Sequence, residues 1–282
     1  MKHILVTGAG GFVGSRILQQ LSGRFAVTSL PSGFIRQATE NELLTRIEQE
    51  HPDVILHTAA ASDVGYCEHH PEESHRANVL LPLWVAEAAR RTGAKLLAFS
   101  SDQVYTGMAG EQPFDETARL SPANVYGRHK LEGEERVLGL LPEAVLLRAT
   151  WMYDLPGYGL PIRGNLPLNL IAAALRRESV RFSPTDRRGI TYVRQVVELL
   201  IPAMELPGGV YNFGSENTQD MLRTACDFRD ALGLTLEITA DRSLPPRNLA
   251  MDCGKLRRHG IRFDDTQAGI RRCMKDYGLA PR

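Results

Sequence analysis

The chain has 282 residues, of which 43% are hydrophobic, and its 33 Lys plus Arg balance its 33 Asp plus Glu. A formal net charge of zero argues against a nucleic-acid partner, because such proteins usually carry a basic surface. No apolar stretch is long enough to cross a bilayer and no signal-peptide pattern follows the first methionine, so we expect no membrane association and a cytoplasmic location. The four cysteines are far apart and predict reduced thiols without a metal site.

Short segments rich in Leu and β-branched residues alternate with helical patterns in the first half of the chain. The candidate strands are residues 4–7, 26–29, 54–57, 96–100 and 145–148. Strands that are separated by helices of this length form right-handed crossovers. The pattern therefore predicts an α/β fold with a doubly wound parallel (Rossmann) sheet.

This alternation ends after residue 150, and residues 154–167 are dense in Pro and Gly, which is typical of loops. We expect residues 1–150 to form a dinucleotide-binding domain, to which 193–215 return. Residues 151–192 and 216–282 are expected to form a smaller substrate-binding lobe. Later helices are predicted over residues 167–177, 193–204, 218–232 and 265–277, with a strand over 209–212.

A glycine-rich segment follows the first strand and opens the first predicted helix. Gly8, Gly11 and Gly14 have the spacing G-x-x-G-x-x-G. Here one glycine permits a tight turn, one lets the backbone approach a pyrophosphate, and one lets the helix pack on the strand. The N–H groups of the helix N-terminus then face the anion. The segment predicts a nicotinamide dinucleotide site, with expected contacts at Gly8, Gly10, Gly11, Phe12, Val13, Gly14, Ala59 and Ala60.

The second strand ends at Thr28 and Ser29, without the Asp or Glu that binds the adenosine ribose in NAD enzymes. A 2′-phosphate would therefore not be repelled. Arg36 could lie near such a phosphate, although a solvated arginine is an equal alternative. We expect NADP(H) or NAD(H) as the cofactor, with NADP(H) favoured.

A second motif begins with Ser121 and Pro122, which indicate the start of a helix. Tyr126 and Lys130 then lie at positions i and i+4 on one helix face, so both polar groups can reach one pocket. A neighbouring ammonium favours the phenolate and would make Tyr126 a usable proton donor and acceptor at neutral pH. Taken alone, such a pair is more often an ordinary feature of an exposed helix.

Ser101 gives this pair a context, because it follows the fourth predicted strand at the edge where doubly wound sheets bind ligands. A hydroxyl at that edge can polarise a carbonyl. In order and spacing, the glycine segment, Ser101, Tyr126 and Lys130 resemble the extended short-chain dehydrogenase/reductases. The resemblance implies that Ser101, Tyr126 and Lys130 are catalytic, and that Tyr126 and Lys130 also contact the cofactor.

Within that superfamily the chain resembles the dTDP-4-dehydrorhamnose reductases over nearly its whole length. The resemblance lies in residues 101–107, 124–134, 148–153 and 247–256. It implies the NAD(P)H-dependent reduction of a nucleotide-linked 4-keto-6-deoxy sugar, and it leaves a homodimer open as the assembly. The substrate contacts that it implies are Asp102, Gln103, Val104, Trp151 and Arg247.

Two positions depart from related enzymes and bear on the reaction. Gln103 stands where these reductases commonly have Tyr and where the sugar 4,6-dehydratases of the superfamily have a carboxylate. Because an amide cannot act as a general base, dehydration is disfavoured. Asp102 weakens the alternative of a nucleotide-sugar epimerase, since those enzymes do not usually carry it. A non-catalytic NADP-binding regulatory subunit is a further alternative, because the β subunit of methionine adenosyltransferase also resembles this family.

Two other segments contain residues that could bind ligands. Residues 67–75 hold one cysteine and three histidines, but adjacent histidines are poorly spaced for zinc, and we expect a solvated linker between a strand and a helix. Arg187, Arg188 and Arg247 could bind a pyrophosphate, with exposed surface charge an equal alternative.

Overall fold

The computed structural model describes residues 1–279, and its first half alternates strands with helices as predicted. In chain order the elements are β1 (His3–Thr7), α1 (Phe12–Leu21), β2 (Ala26–Ser29), α2 (Ser32–Gln37), α3 (Glu40–Glu50), β3 (Val54–His57), α4 (Val64–His69), α5 (Pro71–His75), α6 (Leu81–Thr92), β4 (Lys95–Ser101), α7 (Val125–Leu140) and β5 (Val145–Ala149). A π-helical turn at Arg76–Leu80 precedes α6, and a 3-10 turn at Asp102–Tyr105 follows β4.

The second half contains short strands between longer helices. In chain order these are β6 (Trp151–Tyr153), α8 (Leu166–Arg176), β7 (Val180–Phe182), β8 (Asp186–Arg187), β9 (Ile190–Tyr192), α9 (Val193–Ala203), β10 (Gly209–Phe213), α10 (Met221–Ala231), β11 (Ile238–Ala240), β12 (Arg247–Asn248), α11 (Gly254–Arg258) and α12 (Thr266–Asp276). The four helices predicted here are found with ends displaced by at most three residues.

Six strands form one parallel sheet, in the spatial order β10-β5-β4-β3-β1-β2. The chain runs outward from β1 to β2 and then returns to β3 on the other side of β1. The segments that follow β1 and β3 therefore diverge from one point, and such a switch point is where doubly wound sheets form a ligand crevice. The predicted doubly wound α/β fold is confirmed.

Alternate residues of the sheet strands point into two hydrophobic clusters. Ile4, Leu56 and Leu147 belong to the cluster on one face, which α9 also enters. Leu5 and Ile55 belong to the cluster on the other face, with α3 and α6. This period of two is the expected result of the strand pleat. Because both faces are covered, the site lies at an edge of the sheet rather than on a face.

The other strands pair two by two outside the main sheet: β6 with β9, β7 with β11 and β8 with β12. A third hydrophobic cluster, which includes Tyr153, Tyr192 and Phe228, lies among them. The strand predicted over 209–212 instead joins the main sheet as β10, beside β5. The sequence analysis missed the six paired strands, because two or three residues are too few to show an alternating pattern.

Two local predictions are wrong in part. The helix that carries Tyr126 begins at Val125 and not at Ser121 and Pro122, and its N-cap is Asn124, whose side chain accepts from the N–H of Gly127 at 2.6 Å. Residues 67–75 connect β3 to α6 and are mostly exposed, as expected, but most of them lie in the short helices α4 and α5 and not in an irregular linker, and Cys67 is fully buried.

Among residues 1–279, no helix has both the length and the apolar character that a membrane crossing requires. Within the same range, no three His, Cys, Asp or Glu side chains are grouped so that they could hold a metal ion.

Candidate active site

The glycine-rich segment and the segment after β3 meet at the switch point of the sheet. Gly8 has a φ of +81°, and a Cβ added to it would lie 2.6 Å from the backbone nitrogen of Ala59. Only glycine allows the two segments to approach so closely. Ala59 and its neighbour Ala60 therefore adjoin the glycine segment, as the prediction of a shared cofactor site requires.

The packing of the protein itself excludes a side chain at Gly14 but not at Gly11. A Cβ at Gly14 would lie 2.3 Å from the carbonyl oxygen of Gly8, so Gly14 is required for α1 to pack on the turn. At Gly11 the same oxygen is the nearest atom, at 3.1 Å, which a small shift could relieve. The better reason for a glycine at position 11 is therefore that a bound pyrophosphate would come close to the backbone there.

The N-terminus of α1 is suited to an anion. This ten-residue helix has Gly11 as its N-cap without a side-chain cap, and its first turn contains no acidic residue. Its first N–H groups are available to a ligand, and the helix dipole favours negative charge there. Phe12 and Val13 are half-buried at this end. These residues fit the pyrophosphate of a dinucleotide, with Gly10 alongside.

The end of β2 presents hydroxyl groups rather than a carboxylate. Ser29 is exposed at the last position of the strand, and α2 begins three residues later. Arg36 is exposed in the last turn of α2. An adenosine 2′-phosphate at this strand end would meet no negative charge from β2.

Tyr126 and Lys130 lie on one face of α7 and are both buried. The Lys130 Nζ is 5.8 Å from the centre of the Tyr126 ring and donates to the carbonyl oxygen of Phe99 at 3.0 Å. Phe99 belongs to β4, the strand that ends at Ser101. The contact therefore holds the Tyr126 helix against the strand that carries the third predicted catalytic residue.

Burial controls the protonation of this pair. It raises the pKa of Tyr126 well above the ordinary value, while the Ser101 hydroxyl and the Arg163 charge act in the opposite direction. Burial lowers the pKa of Lys130 to about 8. The expectation that the ammonium makes Tyr126 more acidic is therefore not met, because loss of hydration outweighs it and the ammonium is directed to Phe99. Tyr126 is a neutral phenol at neutral pH, which suits a proton donor.

His57, the last residue of β3, is buried and neutral. Its Nδ1 is hydrogen-bonded to the Thr7 hydroxyl at 2.7 Å, and burial, aided by the charge of Lys130, lowers its pKa to about 3. Asn78, in the π-helical turn, donates from Nδ2 to the carbonyl oxygen of Ala61 at 2.9 Å. This contact fixes the segment that follows Ala59 and Ala60.

Ser101 is the last residue of β4, and Asp102 opens the turn that follows. The Ser101 Oγ accepts from the Gln103 N–H at 3.2 Å and lies 3.3 Å from Asp102 Oδ1. The other oxygen of Asp102 accepts from Nη2 of Arg188 at 2.6 Å, and both side chains are buried. Arg188 had been expected to be a phosphate ligand or a surface charge, and it is instead the buried partner of Asp102.

Two predicted substrate residues have structural partners of their own. The Gln103 Oε1 accepts from the Asn124 amide and from the Thr106 hydroxyl, each at 3.1 Å. The side chain thereby supports the cap of α7. Val104 is completely buried in the main core, so its side chain cannot reach a ligand.

Trp151 and Arg247 lie in the second lobe. Trp151 is half-buried in β6, with the Arg188 guanidinium 5.4 Å from the centre of its ring. The side chain of Arg247 is 44% exposed and forms a two-pronged ion pair with Asp186. Trp151 can therefore line a pocket beside Asp102. Arg247 can bind a phosphate only if its ion pair with Asp186 breaks or if its guanidinium binds both groups at once.

A buried ion pair that the sequence analysis missed joins α1 to the second lobe. The Arg16 Nε donates to Asp154 at 2.6 Å, and Arg16 Nη1 donates to the carbonyl oxygen of Pro161 at 3.0 Å. Its guanidinium also lies 4.0 Å from the centre of the Phe12 ring. Arg16 follows Val13 by three residues, so helical spacing alone could have placed it on the inner face.

A family model described as the RmlD substrate binding domain matches residues 1–278. The chain belongs to this family. The membership confirms the resemblance to the dTDP-4-dehydrorhamnose reductases that the motifs around Ser101 and Tyr126 indicated.

Relatives and solved structures extend the likeness over most of the chain. A dTDP-4-dehydrorhamnose reductase from Aggregatibacter actinomycetemcomitans is 28% identical, over 77% of this chain and 74% of that protein. The methionine adenosyltransferase 2 subunit beta of Xenopus laevis is 27% identical, over 92% of this chain and 83% of that protein.

Among solved structures, a Bacillus anthracis dTDP-4-dehydrorhamnose reductase in complex with NADP superposes with a TM-score of 0.88 at 21% identity, over 98% of this chain and 99% of that one. A UDP-glucose 4-epimerase from Thermotoga maritima has the same fold, with a TM-score of 0.80 at 20% identity over 98% and 99% of the two chains. At these identities the two structures establish a shared fold.

Proposed function

We propose that this member of the RmlD substrate binding domain family is an NAD(P)H-dependent reductase of a nucleotide-linked 4-keto-6-deoxy sugar. The observation that carries the proposal is that Tyr126 and Lys130 lie against the strand that ends at Ser101, at the same edge of the parallel sheet as the glycine segment. Relatives named dTDP-4-dehydrorhamnose reductase support the choice of reaction.

The proposed cofactor is a nicotinamide dinucleotide, with NADP(H) favoured. The N-terminus of α1, which has no side-chain cap, and the absence of a side chain at Gly11 suit its pyrophosphate. The hydroxyl of Ser29 at the end of β2 leaves room for an adenosine 2′-phosphate. A reductase of this fold has been solved with NADP, which agrees with this preference.

When bound, the nicotinamide supplies the hydride for the carbonyl carbon of the sugar. Tyr126 supplies the proton for the carbonyl oxygen, since burial keeps its phenol neutral until charge develops on that oxygen. Ser101 donates a hydrogen bond that orients the same oxygen. Lys130, held by the carbonyl oxygen of Phe99 on the same helix face as Tyr126, supports the ribose of the cofactor.

The environment of Asp102 supports reduction over dehydration. A dehydratase needs a carboxylate that is free to take a proton from a ring carbon. Here the Asp102 carboxylate is paired with Arg188 at 2.6 Å, and its neighbour Gln103 is an amide bound to Asn124. No general base is therefore offered by these two residues.

A second candidate is an NADP-binding regulatory subunit without turnover. The 27% identity to methionine adenosyltransferase 2 subunit beta over 92% of this chain favours it. The presence of Ser101, Tyr126 and Lys130 in one crevice favours the enzyme, because a binding protein has no need for a proton donor there.

Turnover measurements with dTDP-4-keto-6-deoxyhexoses separate these functions. The proposed reductase oxidises NADPH in proportion to the keto-sugar that is consumed. An epimerase would convert sugar without net use of added NADPH, and a regulatory subunit would bind NADPH without turnover. Either of these two results would contradict the proposal.

A further inference from the structure

Arg188 connects the two lobes between Asp102 and Trp151. It lies between β8 and β9 of the second lobe, and its Nη2 donates to Asp102, just after β4, at 2.6 Å. Its guanidinium is 5.4 Å from the centre of the Trp151 ring, a distance at which a cation attracts an aromatic face. One side chain thus links the turn that follows Ser101 to the aromatic ring of the proposed sugar pocket.

The backbone at Arg188 has little freedom to move. Its carbonyl oxygen accepts from the Asn217 amide at 3.0 Å. A Cβ added to the next residue, Gly189, would lie 1.8 Å from the carbonyl oxygen of Ser215, so the two segments pack backbone against backbone. With its side chain 10% exposed, Arg188 is held in place from both sides.

We propose that Arg188 is a positioning residue for sugar binding. Asp102 holds the Arg188 guanidinium in place, and the guanidinium in turn fixes the plane of the Trp151 ring. The inference rests on the proposed function, which places Trp151 beside the sugar. The ion pair with Asp102 adds no net charge to the pocket, so the pocket suits an uncharged hexose. The Arg188 Nε is buried and has no acceptor among residues 1–279, so Arg188 acts on the sugar through the Trp151 ring and not through a hydrogen bond of its own.

Fluorescence of Trp151 tests this inference without any substrate. The chain has two tryptophans, so a Trp84→Phe background leaves Trp151 as the only reporter. In that background Arg188→Met should shift the emission to longer wavelength and increase quenching by acrylamide, because the ring is no longer held against a cation. Arg181→Met is the matched control, since Arg181 lies in the same lobe with a side chain that is 64% exposed, and it should change neither quantity.

Steady-state kinetics then separate positioning from chemistry. Arg188→Met should raise the KM for the nucleotide sugar about tenfold, which is within the range expected for losing a desolvated cation–aromatic contact that orients the ring. The effect on KM should exceed the effect on kcat, and the NADPH dissociation constant should change by less than about twofold, because Arg188 touches neither Tyr126 nor the glycine segment. Arg188→Lys should recover part of the loss, since it retains a cation near the ring.

Each outcome decides the inference. Unchanged Trp151 emission and quenching in Arg188→Met would overturn it, as would a fall in kcat with an unchanged KM. Arg188→Met leaves Asp102 as a buried unpaired charge, which can prevent folding. In that case the Trp151 fluorescence and the KM are compared instead in Arg188→Lys and in the double variant Arg188→Met/Asp102→Asn. If wild-type protein binds NADPH and reduces no keto-sugar, the proposed function fails, while the ligand-free fluorescence still decides the role of Arg188.

Discussion

Arg16 and Asp154 form an ion pair of 2.6 Å between the helix of the glycine segment and the second lobe, and each side chain is only 1% exposed. Tyr277, which follows α12, donates to the same carboxylate at 2.9 Å. Buried polar contacts of Asp154 therefore join α1 to the segment that follows β6 and to the end of α12.

Replacing Arg16 by Met should destabilise the protein by about 3–5 kcal/mol, because Asp154 would remain buried without its partner. Urea unfolding measures this free energy. The double variant Arg16→Met/Asp154→Asn should lose less, since it leaves no buried charge, and Arg24→Met at an exposed position should change stability by less than about 0.5 kcal/mol. If the losses in Arg16→Met and Asp154→Asn simply added up to the loss in the double variant, the two side chains would not interact.

Substitutions at different glycines of this segment should affect folding and cofactor binding separately. Gly11→Leu is expected to fold and to lose NADPH binding, because its side chain points from a position with 3.1 Å clearance into the space of the pyrophosphate. Gly14→Ala is expected to lower the melting temperature, because its Cβ meets the carbonyl oxygen of Gly8 at 2.3 Å. Gly33→Ala, where nothing lies within 4 Å, should affect neither. Full NADPH affinity in a folded Gly11→Leu variant would rule out the proposed site.

Cofactor preference should depend on the end of β2. Wild-type protein should use NADPH at least as well as NADH, and Ser29→Asp should reverse this, because a carboxylate there accepts from ribose hydroxyls and repels a 2′-phosphate. Comparison of kcat/KM for the two cofactors measures the change. Arg36→Ala should lower kcat/KM for NADPH alone if the arginine meets the 2′-phosphate. A strong preference for NADH in the wild type would reverse the assignment.

The buried ammonium of Lys130 should make stability depend on pH. Burial lowers its pKa to about 8, below the unfolded value, so the unfolded chain binds more protons between about pH 8 and pH 10.5. The free energy of unfolding of ligand-free protein should therefore rise with pH in that window, by at most about 1.4 kcal/mol per pH unit from this group. Lys130→Met should lack this part of the slope. Identical slopes in the two proteins would show that Lys130 titrates normally.

The main sheet and its glycine segment could be predicted because their signals are local. Short Leu- and Val-rich strands alternate with helices, and Gly8, Gly11 and Gly14 follow directly on β1. The spacing of Tyr126 and Lys130 likewise fixes their common helix face. Each of these features depends on residues that are neighbours in the sequence.

The features that the sequence did not show depend on contacts between distant segments. Arginine is usually an exposed residue, but Arg188 is buried because Asp102, 86 residues away, binds it. The high pKa of Tyr126 comes from desolvation, which depends on the packing of the whole pocket rather than on Lys130. Asn124 takes the cap of α7 because Gln103, in another loop, holds its amide at 3.1 Å.

Substitution of Tyr126 by Phe tests the proposed chemistry most directly, because it keeps the buried ring and removes only the hydroxyl group that donates the proton. The turnover number for NADPH-dependent reduction of a dTDP-4-keto-6-deoxyhexose should fall by about 10²- to 10⁴-fold, the usual range for general acid catalysis, while the NADPH dissociation constant stays nearly unchanged. Lys130→Met should differ by weakening NADPH binding as well as turnover. Wild-type turnover in Tyr126→Phe would contradict the assignment of Tyr126 as the proton donor.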